Sequence, residues 1–184
     1  FILAKHLKEQ GELKDNMVVS TVMSNIGFYK AVEKNGLQSV KTAVGDRYVV
    51  EEMRKNDYSL GGEQSGHIVL MNYATTGDGI LTAVKLANII KTSGKSLEEL
   101  TSEVNIYPQK LVNIKVVDKK TAMEDAEILA ECEKVEKELE GNGRILLRAS
   151  GTENLIRVMV EASSDELTDK YCEQVAKIVR EKFE

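Results

Sequence analysis

The sequence has little that would bind nucleic acid or enter a membrane. Its net charge is −5 and its pI is about 5.3, whereas duplex-binding surfaces are usually basic, so no nucleic-acid partner is expected. No apolar run approaches the roughly 20 residues that a membrane-spanning helix needs. No signal peptide is recognisable either. We therefore expect no membrane partner and a cytoplasmic location.

Cysteine and proline are also scarce. Cys132 and Cys172 each lie within a helical pattern and form no C-x-x-C motif, which gives no support to a zinc site or a thioredoxin-like activity. We expect two buried, reduced thiols. The single proline, Pro108, accompanies a change in the sequence pattern. We place a domain boundary there, with residues 1–106 and 107–184 as two domains.

In the first domain, short apolar segments alternate with amphipathic ones. The chain opens directly on apolar helical residues, with no initiator methionine and no cap, so we expect a piece of a longer protein. Buried strands are predicted at 17–22, 39–44 and 67–71, with helices between them. This alternation predicts an α/β layered domain, with a mixed sheet and flanking helices.

Helix starts in this domain are predicted from capping residues. Ser24 and Asp46 are expected to cap two helices, and Ser96 with Glu99 fits a capping box. A longer helix is predicted from about residue 78 to residue 91. Four apolar residues share one face of that helix at 3.6-residue spacing: Ile80, Val84, Ala87 and Ile90.

The second domain follows the order strand, helix, strand, strand, helix. Strands are predicted at 111–117, 145–147 and 156–160, and one helix at 121–140. The segment 163–166, SSDE, fits a capping box that starts the terminal helix. We therefore expect a small α+β domain in which two helices cover an antiparallel sheet.

The segment 61–67, GGEQSGH, groups small and hydrogen-bonding residues beside an apolar run. In an extended conformation Glu63, Ser65 and His67 would project from one face, and such a row suits the hydroxyls of a sugar. Glycine allows a ligand to approach the backbone closely. A serine nucleophile would need G-x-S-x-G, and a metal would need a third ligand nearby. A glycine-rich turn with a solvated histidine is the simpler alternative.

A second polar segment, 148-RASGTENLIR-157, connects two predicted strands. A glycine with two neighbouring hydroxyls can form a backbone nest for an anion, and guanidinium groups match phosphate oxygens. Five residues form this candidate phosphate site: Arg148, Ser150, Gly151, Thr152 and Arg157. A hairpin turn with surface arginines remains the alternative.

Two weaker signals complete the set. Arg47 lies at a predicted helix start, where its charge opposes the helix dipole, and this indicates a ligand anion or simply a surface arginine. We include Arg47 among the candidate substrate-binding residues. The segment 75–79, TTGDG, is similar to a phosphate-binding turn but lacks the lysine of a P-loop, so we interpret it as a helix cap.

Taken together, these motifs resemble those of the α-D-phosphohexomutases, and the resemblance covers essentially the whole chain. The motifs that carry it occur in the family's order: VGDRYV at 44–49, GGEQSGH at 61–67, TTGDG at 75–79 and RASGTENLIRVMVE at 148–161. The family has four domains around one cleft, and this chain is similar to the third and fourth. The resemblance implies that Glu63, Ser65 and His67 bind the sugar and that the arginine-flanked loop binds phosphate. His67 is also a candidate acid or base.

The resemblance also implies what the rest of the protein supplies. The family transfers a phosphoryl group from a phosphoserine through a 1,6-bisphosphate intermediate, with Mg²⁺ held by a D-x-D-x-D loop. Neither the serine loop nor the aspartate loop occurs in this sequence. We therefore expect no catalytic serine and no metal ligand here, and no activity without the missing N-terminal domains.

Within this family, the resemblance of the form EQSGH implies a phosphorylated hexosamine, glucosamine 6-phosphate, as substrate. Two alternatives stay open: a related mutase acting on glucose or mannose phosphates, and a stand-alone sugar-phosphate-binding module. Ala149 and Asn154 occupy positions where the family usually has proline, which puts the rigidity of the phosphate loop in question.

Overall fold

The computed structural model describes all 184 residues, and their contacts divide the chain into two compact units, Phe1–Ile106 and Tyr107–Glu184. None of the helices combines the length and apolar character that crossing a bilayer requires. The two units have different architectures, and each is described by itself.

The first unit is built on a four-stranded mixed sheet with the order β2-β1-β3-β4. β1 pairs in parallel with both β2 and β3, and β4 runs antiparallel to β3. This arrangement confirms the predicted α/β layered domain. The strands are β1 (Met17–Thr21), β2 (Gln38–Thr42), β3 (Leu60–Gly62) and β4 (Ile68–Leu70). The helices are α1 (Ile2–Glu9), α2 (Ile26–Lys34), α3 (Asp46–Asn56), α4 (Gly79–Ser93) and α5 (Leu97–Thr101).

Consecutive residues of β1 separate the helices onto the two faces of this sheet. Val18 packs in one cluster with Val32 of α2, whereas Val19 packs in another with Val49 and Met53 of α3. Side chains alternate along a strand, so a continuous apolar strand can bury both faces. The connection from β1 to β2 through α2 and the connection from β2 to β3 through α3 therefore lie on opposite faces of the sheet.

The helix caps agree only in part with the sequence-based predictions. Asn25, not Ser24, caps α2, because its side chain accepts a backbone N–H of the first turn. Gly45, not Asp46, precedes α3, and its φ of 133° suits a residue without a side chain. The capping box at Ser96 is confirmed.

The predicted apolar face of α4 is not the face that packs. Asp78 caps the helix by accepting the N–H of Leu81. Ile80 and Val84 are 81% and 63% exposed, whereas Ile89 is buried and Leu81 packs against the core. This helix carries apolar residues on more than one face, so spacing alone could not identify the buried one.

The second unit is a three-stranded antiparallel sheet with the order β5-β7-β6. Its strands are β5 (Gln109–Lys115), β6 (Arg144–Ala149) and β7 (Leu155–Glu161). Its helices are α6 (Lys119–Glu124), α7 (Ala126–Glu138) and α8 (Asp165–Phe183). The predicted α+β class is confirmed.

Two details of the predicted helices in this unit are wrong. Asp125 has an extended backbone and divides the expected single helix into α6 and α7, because its carboxylate caps the second of them. Ser164, not Ser163, caps α8. The unit therefore has three helices rather than two.

All three helices pack on one face of the second sheet. Ile156 and Val158 of β7 lie in a core shared with Ile128 of α7 and Val175 of α8. Cys172 belongs to the same core, and burial raises the pKa of its thiol to about 11. The alternate residues of β6 and β7 project from the opposite face, where Met159 and Glu161 of β7 are also buried.

Candidate functional site

The carboxyl ends of three parallel strands meet at one edge of the first sheet. β1 lies between β2 and β3, so the chain leaves neighbouring strands in opposite directions at this edge. In open α/β sheets, ligands bind in the crevice outside such a switch point. A cavity of about 330 Å³ lies there. Its lining residues are Thr21, Met23, Val44, Glu63, Gln64 and Ser65.

The segment Glu63 to His67, which we call the 63–67 turn, reverses the chain between β3 and β4. The N–H of Glu63 donates to the carbonyl of His67 at 2.9 Å, and Gly66 has a φ of 95°. The segment therefore forms the turn that was the simpler alternative, and its three polar side chains do not project as one extended row. The antiparallel pairing of β3 with β4 leaves only these five residues for the reversal. Glu63 and His67 face each other at the base of the turn, and Ser65 lies exposed near its tip.

The segment 44–47 contacts the base of the 63–67 turn. The carboxylate of Glu63 accepts the N–H of Gly45 at 2.9 Å. Nε2 of His67 lies 3.7 Å from Oδ2 of Asp46, which is too long for a hydrogen bond. Two of the sequence motifs therefore form one structural group at the switch point.

His67 is fixed by a contact that sequence reasoning did not find. A Cβ atom on Gly77 would lie 2.3 Å from Cε1 of the His67 ring, so the ring packs directly on the Gly77 backbone. Nε2 of His67 is buried and has no hydrogen-bond partner. The TTGDG segment thus caps α4 and also supports the imidazole. Gly77 is visible in the sequence, but nothing in the sequence indicates that it contacts His67.

Arg47 lies beside this group in sequence, but its side chain is turned along α3. Its Nε donates to Oε1 of Glu51 at 2.7 Å, and the side chain is 77% exposed. This hydrogen bond raises the pKa of Arg47. The structure does not bring its guanidinium to the 63–67 turn, and the substrate-binding role of Arg47 stays a prediction.

In the second unit, two arginines face each other across neighbouring strands. Arg148 of β6 pairs with Arg157 of β7 in the antiparallel register. The Nε atoms of both are buried and have no hydrogen-bond partner. Burial, followed by the charge of Arg157, lowers the pKa of Arg148. Like charges opposite each other destabilise a sheet, and an anion between the two arginines would offset that repulsion.

Residues 150–154, which we call the 150–154 loop, connect these two strands. Ser150 is buried, and its hydroxyl oxygen accepts the N–H of Glu153 at 3.3 Å. The N–H of Ser150 donates to the carbonyl of Leu155. Gly151 and Thr152 are exposed, and their N–H groups donate to no acceptor within the chain. Ser150 therefore shapes the loop, while the next two residues present free donors.

Three buried side-chain polar atoms lack a hydrogen-bond partner, and each belongs to a residue predicted to bind the ligand: His67, Arg148 and Arg157. Most buried polar groups in native structures are satisfied, so such exceptions indicate a missing partner. No group of three or more His, Cys, Asp or Glu side chains is arranged to hold a metal ion.

Both units match models of one family of sugar-phosphate enzymes. Residues 1–107 match the α/β/α domain III of phosphoglucomutase/phosphomannomutase, and residues 111–178 match the C-terminal domain. The chain belongs to this family.

The relatives found in sequence comparisons are phosphoglucosamine mutases. That of Anoxybacillus flavithermus is 60% identical over 183 residues, which are 100% of this chain and 41% of the relative. That of Leuconostoc mesenteroides is 59% identical and is covered to 40%. The chain thus spans about 40% of the length of the curated relatives it matches.

Solved structures share the fold at low identity. N-acetylphosphoglucosamine mutase of Aspergillus fumigatus, in complex with glucose 1,6-bisphosphate, gives a TM-score of 0.80 at 20% identity, over 98% of this chain and 42% of that one. The same enzyme was also solved with GlcNAc-6P and magnesium. A phosphoglucomutase/phosphomannomutase family protein of Burkholderia thailandensis gives a TM-score of 0.73 at 16% identity, over 100% of this chain and 42% of that one.

Proposed function

We propose that this chain is the substrate-binding C-terminal part of a phosphoglucosamine mutase. The complete enzyme would interconvert glucosamine 6-phosphate and glucosamine 1-phosphate through a phosphoserine and a 1,6-bisphosphate. The 63–67 turn would bind the sugar, and the 150–154 loop with its flanking arginines would bind phosphate. Identities of 56–60% with curated phosphoglucosamine mutases support the choice of glucosamine.

One observation carries this proposal. The side-chain atoms that are buried without a partner belong to His67, Arg148 and Arg157. A phosphate offers several acceptor oxygens to guanidinium donors, and a sugar hydroxyl can either donate to or accept from an imidazole nitrogen. A phosphate would supply acceptors for the two arginines, and a sugar hydroxyl would supply a partner for His67.

The roles of the remaining residues follow from their positions. Arg148 and Arg157, with the N–H groups of Gly151 and Thr152, would hold the phosphate that is not reacting. The carboxylate of Glu63 already accepts one backbone N–H and has further lone pairs for a sugar hydroxyl. Ser65 is exposed next to it. Holding the non-reacting end positions the other end for transfer.

The parts of the reaction that this chain lacks would come from the rest of the protein. We place the phosphoserine and the ligands of Mg²⁺ there, because no suitable group of metal ligands lies in this chain. The chain alone would then bind its ligand weakly and would be inactive. A cytoplasmic location fits the two free cysteines.

A titration followed by NMR tests the binding role. We expect glucosamine 6-phosphate at millimolar concentration to shift the amide signals of Gly151 and Thr152 first, and those of Glu63 and His67 as well. Arg148→Met should weaken binding about tenfold, because a charge-assisted hydrogen bond is lost. Arg54→Met, which removes the same charge from α3, is the control and should bind normally. Unchanged spectra of the wild type at millimolar ligand would contradict the proposal.

The choice of sugar requires the complete enzyme. We expect its activity to be highest on glucosamine 6-phosphate when glucose and mannose phosphates are assayed beside it. Equal or higher activity on either of those would favour a phosphoglucomutase or phosphomannomutase. A complete gene without a serine loop and an aspartate-rich loop would instead favour a stand-alone binding module.

A further inference from the structure

Lys119 contacts the 150–154 loop from the start of α6. Its ammonium donates to the carbonyl of Ser150 at 2.8 Å and to that of Glu153 at 3.2 Å. It is the first residue of the helix, where a cation opposes the helix dipole. This unfavourable placement is understandable if the charge serves the loop rather than the helix.

The two contacts fix the orientation of peptide groups in the loop. A trans peptide is planar, so its N–H points opposite to its C=O. When the carbonyl of Ser150 points to Lys119, the N–H of Gly151 points away from Lys119. The same holds for the carbonyl of Glu153 and the N–H of Asn154. Lys119 thereby determines which side of the loop presents its donors.

Arg148 and Arg157 project from the face of the sheet opposite α6. α6 packs on the helix-covered face of the sheet, where Ala122 is fully buried. Arg148 and Arg157 belong to the alternate set of strand residues, which projects from the other face. The N–H of Gly151 therefore points away from the ammonium of Lys119, a residue of the helix-covered side, and the arginines project from the other side.

We propose that Lys119 is a positioning residue for the bound phosphate: it holds the 150–154 loop so that the Gly151 N–H faces the same anion as Arg148 and Arg157. This inference rests on the proposed function of the loop. Lys119 acts from behind the loop through backbone carbonyls, so it need not touch the ligand.

The experiment compares three variants of the 184-residue chain. Lys119→Met removes the ammonium, and Lys119→Arg keeps a cation that can still reach a carbonyl. Lys120→Met removes the same charge one residue later, from an exposed side chain of the same helix, and is the matched control. Inorganic phosphate is the probe, and its dissociation constant is measured from the Gly151 amide signal. The carbonyl ¹³C shifts of Ser150 and Glu153 are recorded without ligand.

For Lys119→Met we expect about tenfold weaker phosphate binding and moved carbonyl signals in the free protein. Lys119→Arg should recover most of the affinity, and Lys120→Met should stay within about twofold of the wild type. Urea unfolding of each variant checks that the chain remains folded. Rescue by arginine separates positioning from simple loss of structure.

Each other outcome has a definite meaning. If Lys119→Met binds phosphate like the wild type, or if Lys120→Met weakens binding equally, the inference is overturned and the proposed function stands. If the wild type itself does not bind phosphate, the proposed function fails. Unmoved carbonyl signals in Lys119→Met would then overturn the inference separately, while moved signals would leave Lys119 as a loop contact without an anion role.

Discussion

On one face of the β6–β7 hairpin, β6 carries Arg144 near one end and Arg148 near the other. The residues opposite these two arginines carry opposite charges. Arg144 lies opposite Glu161, and Arg148 lies opposite Arg157. Arg144 donates to both carboxylate oxygens of Glu161, at 2.7 and 3.2 Å. The Nε atoms of Arg148 and Arg157 have no partner within the chain.

The difference separates a structural role for arginine at one end from the binding role that we propose at the other. Glu161 is fully buried and neutralises Arg144 inside the fold. Across from Arg148 the chain supplies a second cation instead of a carboxylate, and the resulting repulsion reduces stability. Such an unfavourable pair is retained where a ligand anion provides the missing charge. The comparison predicts that the stability of the chain depends on the Arg144–Glu161 pair, and that its phosphate affinity depends on Arg148 and Arg157.

The largest effect on stability is expected from Arg144→Met. The substitution leaves the buried carboxylate of Glu161 without its bidentate partner, and breaking a buried pair in this way costs about 3–5 kcal/mol. Urea unfolding of the chain measures the loss. Arg180→Met, which breaks a surface pair with Glu173, is the control and should change stability little. A loss of less than about 1 kcal/mol for Arg144→Met would show that the pair contributes little.

The next largest effect is expected from Arg157→Glu. The substitution places a carboxylate opposite Arg148, as Glu161 lies opposite Arg144. Phosphate affinity should fall at least about 100-fold, because a charged donor is replaced by a repelling carboxylate. The free energy of unfolding should stay level or rise by about 0.2–1 kcal/mol, because Arg148 gains an opposite charge across the strands.

Lys115→Glu provides the matched control for that prediction. Lys115 is exposed at the end of the neighbouring strand β5, opposite Leu155, and the substitution changes the charge by the same amount. It should reduce phosphate affinity far less. If Arg157→Glu lowers stability, or if phosphate still binds as in the wild type, the division of roles along the hairpin is incorrect.

The sequence pointed to the end of this hairpin where we propose phosphate binding, but not to the ion pair at the other end. Arg148 and Arg157 flank a Ser-Gly-Thr loop, and that combination is informative without coordinates. Nothing local connects Arg144 with Glu161, because their pairing depends on the register of two strands 17 residues apart. Composition and periodicity sufficed for both fold classes, since strand and helix periods are local properties.

The 63–67 turn shows the same limit in the first unit. The sequence left an extended row and a turn as alternatives, because the turn results from pairing β3 with β4, which local residues do not determine. The contacts of Glu63 with Gly45, and of His67 with Gly77, join segments 18 and 10 residues apart in sequence. Residue types therefore gave the candidate groups, which stay a prediction, and only the fold showed the contacts that hold Glu63 and His67.

A smaller effect is expected from Gly77→Ala, which tests whether the Gly77 backbone holds the His67 ring in place. The added methyl group would lie 2.3 Å from the imidazole, so the ring must move, and such overpacking costs about 1–3 kcal/mol. The ring signals of His67 should shift in NMR spectra, while phosphate binding at the 150–154 loop stays unchanged. Gly79→Ala, whose new Cβ meets open space, should leave those signals in place. Equal spectra for both variants would contradict the contact.

The smallest effect is expected from Glu63→Gln, which extends the comparison to a site carboxylate that is paired within the chain. An amide oxygen still accepts the N–H of Gly45, so the substitution weakens one hydrogen bond and leaves no buried charge without a partner. The loss in the free energy of unfolding should not exceed about 0.5–1.5 kcal/mol. Unfolding in urea and the Gly45 amide shift measure it. Glu51→Gln, which affects the exposed pair with Arg47, is the control and should have no measurable effect. A loss as large as that of Arg144→Met would mean that Glu63 is primarily structural, like Glu161, and would remove it from the proposed sugar site.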